Sequence, residues 1–211
     1  MGDEIARMIA EGYDRVADAY AALESPNDPW PRMRRVRAFA AGLAAGSRVL
    51  DLGCGNGVPA TLELAERHAV TAVDVSPEQA ARARRNVPAA AVVCADVRTL
   101  ALAPASFDAV LALYLVDNIP AAELSEVLRR VLGWLRPGGR LLLSAEPLDE
   151  GLGGVHEWLG VPMFIDGMPR AELLRTVRSA GFDILDAEDE TQREGGRPIE
   201  FVWVTARRPP D

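Results

Sequence analysis

The chain has 211 residues and a formal net charge of −8 at pH 7, and 49% of its residues are hydrophobic. An acidic chain is a poor candidate for nucleic-acid binding, because that binding depends on basic side chains that neutralise phosphates. No apolar run approaches the roughly 20 residues of a membrane helix, and the acidic first residues do not resemble a secretory signal. We therefore expect a cytoplasmic protein with no nucleic-acid or membrane partner.

All basic residues of the chain are arginine, and it contains only two cysteines and two histidines. Without lysine, this sequence has neither a Schiff-base residue nor the phosphate-binding lysine of a P-loop. Two scattered cysteines and two histidines do not make a disulfide framework or a structural zinc site. We expect no bound metal.

The chain begins with two predicted helices, over residues 3–23 and 31–45, on either side of the helix-breaking segment SPNDPWP. Tyr13 and Tyr20 are seven residues apart and therefore share one face of the first helix. This spacing fits packing into the core, and it equally fits a helical lid whose tyrosines close over a ligand.

Short apolar runs alternate with helical segments from Ser47 onward, which predicts βαβ units and a parallel sheet. The predicted strands are RVLDLG, AVTAVDV, AAVVCAD, FDAVLALYLV and GRLLLSAEP. Helix starts are marked by Pro59, by a capping box at Ser76 and Gln79, and by Pro120. Two more strands, FDILDAE and IEFVWVTARR, are joined only by the polar segment DETQREGGRP, which predicts a hairpin and an antiparallel last strand.

These elements predict one α/β domain over residues 1–211, Rossmann-like and doubly wound, with a mostly parallel seven-stranded sheet. We expect a helical cap over residues 1–45, a cofactor-binding core over 46–146, and a final helix and β-hairpin over 169–211. The stretch 147–168 has no periodicity, which is unusual in a compact domain unless it covers a ligand. We interpret it as a lid or substrate loop.

The segment VLDLGCGNGVPA places alternating glycines directly after a strand, which indicates that a ligand approaches the backbone closely. Its spacing and the absence of lysine exclude a P-loop. Gly55, Gly57 and Ala60 satisfy the dinucleotide pattern G-x-G-x-x-G/A, so an NAD-dependent oxidoreductase is one alternative. Asp51, just before the turn, favours instead a ligand with a cationic head, such as S-adenosylmethionine (SAM).

Three successive predicted strands end in an acidic residue: Asp51, Asp74 and Asp96. Open α/β sheets bind ligands at the carboxyl ends of their strands, so we expect these carboxylates along one edge. There Asp74 suits a pair of ribose hydroxyls and Asp96 an adenine amino group. Aspartate is common in turns after strands, but the ordered set of three supports SAM.

Five blocks of the sequence resemble the class I SAM-dependent methyltransferases, particularly small bacterial enzymes that act on small molecules. The blocks are VLDLGCGNG, VTAVDVSPEQAARARRN, ADVRTL, FDAVLALYLVDNIP and WLRPGGRLLLS, in the family's order and spacing. The resemblance implies SAM as the cofactor and a small-molecule methyl acceptor. The residues predicted to bind the cofactor are Tyr13, Tyr20, Asp51, Gly53, Cys54, Gly55, Asp74, Val75, Asp96, Val97, Leu113 and Tyr114.

By this resemblance, the glycine loop is expected to hold the methionine part of the cofactor. Asp74 is expected to bind the ribose, and Asp96 with Val97 to flank the adenine. Leu113 or Tyr114 is expected to approach the cofactor's ammonium group through a backbone carbonyl.

Methyl transfer requires mainly alignment and exclusion of water, with removal of a proton where the acceptor demands it. We name His156, Asp117 and Tyr20 as candidate catalytic residues, although a surface role for His156 and a turn role for Asp117 also fit. Many relatives carry histidine at the position of Asn118, so a histidine base is not expected there. The candidate substrate-binding residues are Asn118, Trp158 and Phe164. A SAM-binding protein of the same fold that catalyses a cyclisation or rearrangement is the main alternative function.

Overall fold

The computed structural model describes residues 2–23, 31–149, 153–194 and 197–211. Its helices are α1 Gly2–Arg15, α2 Ala17–Leu23, α3 Pro31–Ala41, α4 Ala60–Ala65, α5 Pro77–Asn86, α6 Ala121–Trp134 and α7 Arg170–Ser179, with a short 3₁₀ helix at Val116–Asn118. Its strands are β1 Arg48–Leu52, β2 Ala69–Asp74, β3 Ala91–Cys94, β4 Phe107–Leu113, β5 Leu135–Ala145, β6 Gly154–Trp158, β7 Val161–Ile165, β8 Asp183–Glu194 and β9 Arg197–Arg207. No helix in the described ranges is both long and apolar enough to span a bilayer.

Seven of these strands form one sheet in the order β3-β2-β1-β4-β5-β9-β8. Strand β2 runs parallel to both β1 and β3, and β4 runs parallel to β5. Strand β9 runs antiparallel to both β5 and β8. The predicted fold, a mostly parallel seven-stranded sheet with one antiparallel last strand and helices preceding it, is confirmed.

The chain divides into two compact units. The first comprises residues 1–100 and 154–164, and the second residues 101–153 and 165–211. The subdivision expected from the sequence, a cap, core, lid and tail within one domain, stays a prediction.

The first unit is built on β1, β2 and β3, whose parallel register pairs Asp51 with Ala72 and Asp74 with Cys94. Helix α5 begins as predicted, because the Ser76 hydroxyl accepts a hydrogen bond from the Gln79 N–H at 3.0 Å. The reciprocal half of the capping box is different: the Ser76 N–H donates to the Asp74 carboxylate at 2.9 Å. The start of α5 is therefore fixed to the end of β2.

The first predicted helix, 3–23, is wrong in one respect, because it is broken at Val16 into α1 and α2. Val16 and Ala17 at the break are both buried. The second predicted helix ends at Ala41 and not at residue 45. The segment SPNDPWP lies almost wholly outside the described residues.

The expected irregular stretch 147–168 is wrong for its second half, which forms the two-stranded sheet of β6 and β7. Leu159 and Gly160 alone connect these strands, with φ of +49° and +79°. Positive φ at both central residues is the geometry of a type I′ turn, which matches the twist of paired strands. The turn, and not an alternation of apolar and polar residues, therefore defines this hairpin.

In the second unit, β4 ends at Leu113, three residues before the predicted end, because Tyr114 adopts a left-handed backbone with φ +54°. The connection predicted between the last two strands is itself mostly strand, since β8 continues to Glu194 and β9 begins at Arg197. Strand β8 lies at the edge of the sheet. Polar side chains are compatible with such an edge, where they remain hydrated.

Candidate cofactor site and acceptor site

The glycine loop after β1 is held by backbone geometry that only glycine adopts readily. Gly53, Gly55 and Gly57 have φ of +70°, +56° and +81°. A Cβ on Gly57 would lie 2.9 Å from a methyl group of Val87, so the loop also packs too closely against the end of α5 for a larger residue. The loop is thus fixed in one shape at its three glycines.

The Asp51 carboxylate is buried beneath this loop and accepts a hydrogen bond from the Thr61 hydroxyl at 2.6 Å. The N–H groups of Gly53 and Cys54 both donate to the Val73 carbonyl of β2, at 2.8 and 3.0 Å. Asp51 therefore connects β1 to helix α4, in addition to the electrostatic role predicted for it.

Asp74, the last residue of β2, is held by two backbone donors. The Gly55 N–H donates to one carboxylate oxygen at 2.8 Å and the Ser76 N–H to the other at 2.9 Å. The carboxylate is buried, with 8% of the residue exposed. Because ionised carboxylates only accept hydrogen bonds, this position suits the hydroxyl pair predicted for it.

Asp14 of α1 continues the same network. The Ser76 hydroxyl donates to the Asp14 carboxylate at 2.5 Å, and the Glu78 N–H donates to it at 3.0 Å. Asp14 thus supplies a second cap for α5 from a residue 62 positions away in the sequence. Local sequence does not mark this residue, because α1 contains several other acidic residues.

Asp96 follows β3 and is paired with Arg98, whose guanidinium contacts both carboxylate oxygens at 2.7–3.1 Å. Val97 between them is buried, and Val75 accepts a contact from the Cys94 thiol at 3.7 Å. Burial raises the pKa of the Cys94 thiol, and the negative charge of Asp74 adds to that increase. The adenine-binding role of Asp96 and Val97 stays a prediction.

Three aromatic side chains of the first unit form one cluster, which we call the aromatic triad: Tyr13, Tyr20 and Trp158. Each pair of rings is 5.5 Å apart between centroids and packs edge to face, as aromatic quadrupoles prefer. On α1, a Cβ at Gly12 would lie 2.7 Å from Met163 of β7. The structure therefore brings the predicted tyrosine pair together with Trp158 and packs the β6–β7 hairpin against α1.

The end of β4 in the second unit carries Leu113 and Tyr114. The Tyr114 N–H donates to the Ser144 hydroxyl at 3.0 Å, and its phenol exchanges hydrogen bonds with the Gln192 amide at 3.0–3.1 Å. Its ring packs on Phe201 and Trp203. Left-handed backbone at a bulky residue costs energy and persists where its surroundings hold it; these contacts on both ends of Tyr114 hold it here.

Asp117, in the 3₁₀ helix, is buried, and both of its carboxylate oxygens accept the Glu146 N–H at 3.1 Å. Its carbonyl accepts the Asp166 N–H at 2.7 Å. These contacts give Asp117 a structural function, whereas its role as a base stays a prediction. The neighbouring Asn118 is half-buried.

Glu146, directly after β5, is a site residue that the sequence analysis missed. It lines a small recess of the second unit that has room for about one water molecule. Burial raises the pKa of the Glu146 carboxyl above its ordinary value. The available signal was an acidic residue after a strand, the same signal that identified the three aspartates.

His156 of β6 is exposed, and Phe164 of β7 is half-buried. Both belong to the hairpin of the first unit. Their catalytic and substrate-binding roles stay predictions.

With this geometry in view, comparison with known proteins defines the class. Residues 49–139 match the family described as "Methyltransferase domain". The chain belongs to the class I SAM-dependent methyltransferases, as the five sequence blocks predict, and its cofactor is SAM. The alternative of a nicotinamide dinucleotide in the glycine loop has no support from this family.

Three particular proteins illustrate the similarity. The chain is 34% identical over 157 residues to the 27-O-demethylrifamycin SV methyltransferase of Amycolatopsis mediterranei, a match covering 64% of this chain and 57% of that protein. The structure of the Burkholderia thailandensis 1,6-didemethyltoxoflavin-N1-methyltransferase, with its substrate and S-adenosylhomocysteine bound, is 28% identical with a TM-score of 0.65, covering 94% and 89% of the chains. The [4+2]-cyclase SpnF shares the fold at 23% identity, a TM-score of 0.72 and coverage of 96% and 95%.

The residues of the first unit fit SAM. The three glycines of the loop place no side chain between its backbone and a ligand, and Asp74 offers an acceptor-only group for ribose hydroxyls. Because SAM has no phosphate, its binding brings no phosphate charge close to the buried Asp51 carboxylate.

Proposed function

We propose that this protein transfers the methyl group of SAM to a small organic acceptor by in-line displacement. The observation that supports this most is the Asp74 carboxylate, fixed at the end of β2 by the Gly55 and Ser76 N–H groups. A carboxylate held by two backbone donors is already oriented for its ligand before binding, which lowers the ordering cost of association.

In this proposal the glycine loop, with Gly53, Cys54 and Gly55, holds the methionine part of the cofactor. Asp74 and Val75 bind the ribose, while Asp96 and Val97 flank the adenine. The backbone carbonyl of Leu113 or Tyr114 accepts from the ammonium group.

The aromatic triad of Tyr13, Tyr20 and Trp158 serves as the lid over the cofactor. The three rings pack edge to face at 5.5 Å, and in this proposal they close over the cofactor and exclude water, which strengthens the electrostatic interactions within the site. Tyr20 thereby assists catalysis, and the neighbouring Phe164 and His156 on the hairpin contact the acceptor.

SAM supplies an activated methyl group, so the chain's own residues have to align the acceptor, exclude water and receive a proton where one is released. Because the Asp117 carboxylate accepts the Glu146 N–H, we assign it the positioning of the segment after β5. Asn118, its neighbour, is placed among the acceptor contacts.

The acceptor is a small molecule in this proposal. A relative named for 27-O-demethylrifamycin SV and one named for 1,6-didemethyltoxoflavin both carry names of small organic acceptors. One name specifies an oxygen and the other a nitrogen as the methylated atom. These relatives therefore do not define the acceptor atom of this protein.

Isothermal titration calorimetry with S-adenosylhomocysteine, and with NAD⁺ as the matched control, tests the cofactor assignment. We expect binding of S-adenosylhomocysteine alone. Incubation with methyl-labelled SAM and a panel of phenols, amines and thiols then tests transfer. Turnover of an acceptor without formation of S-adenosylhomocysteine would instead support a cyclisation or rearrangement, and binding of NAD⁺ alone would overturn the proposal.

A further inference from the structure

A chain of hydrogen bonds within the first unit joins Asp14 of α1 to Asp74, the residue assigned to the ribose. Ser76 is the middle residue of this chain. Its hydroxyl donates to the Asp14 carboxylate, and its backbone N–H donates to one oxygen of the Asp74 carboxylate at 2.9 Å. The other Asp74 oxygen accepts the Gly55 N–H at 2.8 Å. One serine therefore connects two carboxylates from distant segments of the chain.

Two donors at the start of α5 depend on Asp14. The Ser76 oxygen accepts the Gln79 N–H at 3.0 Å, so its hydroxyl hydrogen points to a different partner, which is Asp14. The Glu78 N–H also donates to Asp14, at 3.0 Å, and such first-turn N–H groups have no acceptor within their own helix. Ser76 is fully buried. Loss of the Asp14 acceptor would therefore leave a buried hydroxyl unpaired, which is costly.

The neighbours of Asp14 on α1 face other parts of the first unit. A Cβ at Gly12 would lie 2.7 Å from Met163 of β7, and Tyr13 belongs to the aromatic triad. Successive residues of a helix point about 100° apart. The contact of Asp14 with α5 therefore also fixes the rotation of α1 about its axis, and with it the direction of Tyr13.

A second connection between the N-terminal helices and α5 is made by Arg82, which pairs with Asp18 of α2 and with Glu78, both at 2.7 Å. The Asp18 side chain is 93% exposed, and exposed ion pairs contribute little because water and salt screen them. Asp14 is half-buried and accepts two donors. It is therefore the stronger of the two connections.

We propose that Asp14 is a positioning residue for cofactor binding, which acts through Ser76 to hold the Asp74 carboxylate in the orientation that receives the ribose hydroxyls. This inference rests on the proposed function and adds a residue of the first helix to it. Asp14 does not touch the cofactor. It fixes Ser76, and the Ser76 N–H fixes one oxygen of Asp74. Asp74 is thereby ordered before the cofactor binds, which lowers the cost of association.

The first test compares two probes that differ only in the ribose hydroxyls, S-adenosylhomocysteine and its 2′,3′-dideoxy analogue. Calorimetry measures both affinities for the wild type, for Asp14→Asn and for the matched control Asp18→Asn. Substitution of a residue that couples two sites changes their coupling by about 2- to 30-fold. We expect Asp14→Asn to bind S-adenosylhomocysteine more weakly by a factor in this range and to bind the dideoxy analogue as the wild type does. Asp18→Asn should match the wild type with both probes.

The second test asks whether Asp14 acts through Ser76. Ser76→Ala removes the hydroxyl that donates to Asp14 and keeps the N–H that donates to Asp74. Residues of one hydrogen-bond network have non-additive effects, so we expect Asp14→Asn to add little to the loss of S-adenosylhomocysteine affinity caused by Ser76→Ala. Additive losses in the double variant would contradict the proposed route.

Equal affinity of Asp14→Asn and the wild type for S-adenosylhomocysteine would overturn the proposal. Equal weakening of both probes in Asp14→Asn would do the same, because a purely structural role of Asp14 does not depend on the ribose hydroxyls. A wild type that bound both probes equally would show that Asp74 does not recognise the ribose, and the inference would fail with it. If the wild type did not bind S-adenosylhomocysteine at all, the proposed function itself would be refuted, so the failures are distinguishable.

Discussion

Asp74 in the first unit and Glu146 in the second both stand at the carboxyl end of a parallel strand, yet their surroundings differ. The Asp74 carboxylate accepts a backbone N–H on each oxygen. The Glu146 carboxylate lines an apolar recess, where burial alone raises its pKa. Backbone N–H groups hold the Asp74 carboxylate, whereas the hydrogen bond that holds Glu146 is made by its own backbone N–H.

This difference separates two tasks that carboxylates perform in enzymes. A carboxylate stabilised by backbone donors stays ionised and oriented, which suits recognition of hydroxyl groups. A carboxyl with a raised pKa exchanges a proton more readily near neutral pH, which suits proton transfer. Strand position alone therefore does not assign a role, and the hydrogen-bond partners of each acid do.

The largest effect is expected for Asp74→Ala. Hydrogen bonds to charged groups contribute about 1.5–3 kcal/mol each, so loss of two to the ribose should weaken S-adenosylhomocysteine binding by about 100-fold or more. Calorimetry measures this affinity. Asp183→Ala, which removes an exposed carboxylate paired with Arg207, is the matched control and should bind normally. Equal affinity of Asp74→Ala and the wild type would show that Asp74 does not bind the ribose.

The rigidity of the loop that contacts Asp74 can be tested with two alanine substitutions at glycines of similar φ. Gly57→Ala meets both a positive φ of +81° and Val87 at 2.9 Å, whereas Gly46→Ala meets a φ of +76° and no atom within 4 Å. Strained backbone costs about 1–3 kcal/mol. We expect both variants to melt at lower temperature, and Gly57→Ala to melt lower than Gly46→Ala. Equal melting temperatures would show that the contact with Val87 is easily relieved.

The smallest effect is expected for Glu146→Gln on thermal stability, and its size depends on pH. A carboxyl whose folded pKa is raised contributes stability at low pH that is lost as pH rises through the folded value. Glu146→Gln is neutral throughout, so it should match the wild type in acid and melt at a higher temperature at pH 8. Glu126→Gln, which changes an exposed glutamate paired with Arg129, is melted in the same buffers as the control. Thermal melts across pH measure this, and a stability loss in Glu146→Gln at pH 8 would contradict the burial argument.

Asp74→Asn should behave in the opposite way at pH 8. It loses the charge that accepts the Gly55 and Ser76 N–H groups, and charge-assisted hydrogen bonds are stronger than neutral ones. We expect a lower melting temperature than the wild type. Thermal melts in acid and at pH 8 are run on both variants. Equal shifts in melting temperature, in the same direction, would show that the surroundings of Asp74 and Glu146 do not differ in the way described.

The strands, the glycine loop and the acids that end successive strands could be predicted from local patterns, because buried parallel strands are continuous apolar runs. The antiparallel β9 followed from a connection too short for a crossover helix. Glu146 carried the same local signal as the three aspartates, but its importance depends on the recess around it, which residues from four separate segments form.

Other features depended on contacts between distant parts of the chain. Nothing in the sequence around Val16 marks a helix break, since neither glycine nor proline stands there. The β6–β7 hairpin has its turn at Leu159, an unusual residue for positive φ, and its contacts to Gly12, Tyr13 and Tyr20 come from the first helices. Local propensity could not predict these elements.

The position of β9 between β5 and β8 has a consequence for folding during synthesis. Strand β5 is complete at Ala145, but the strand that covers its outer edge begins only at Arg197. Until β9 leaves the ribosome, the polar backbone groups of that edge are exposed, and an exposed strand edge invites pairing with other chains. The nascent chain therefore passes through a stage in which chaperone protection matters most, and slowing translation between β5 and β9 should increase aggregation.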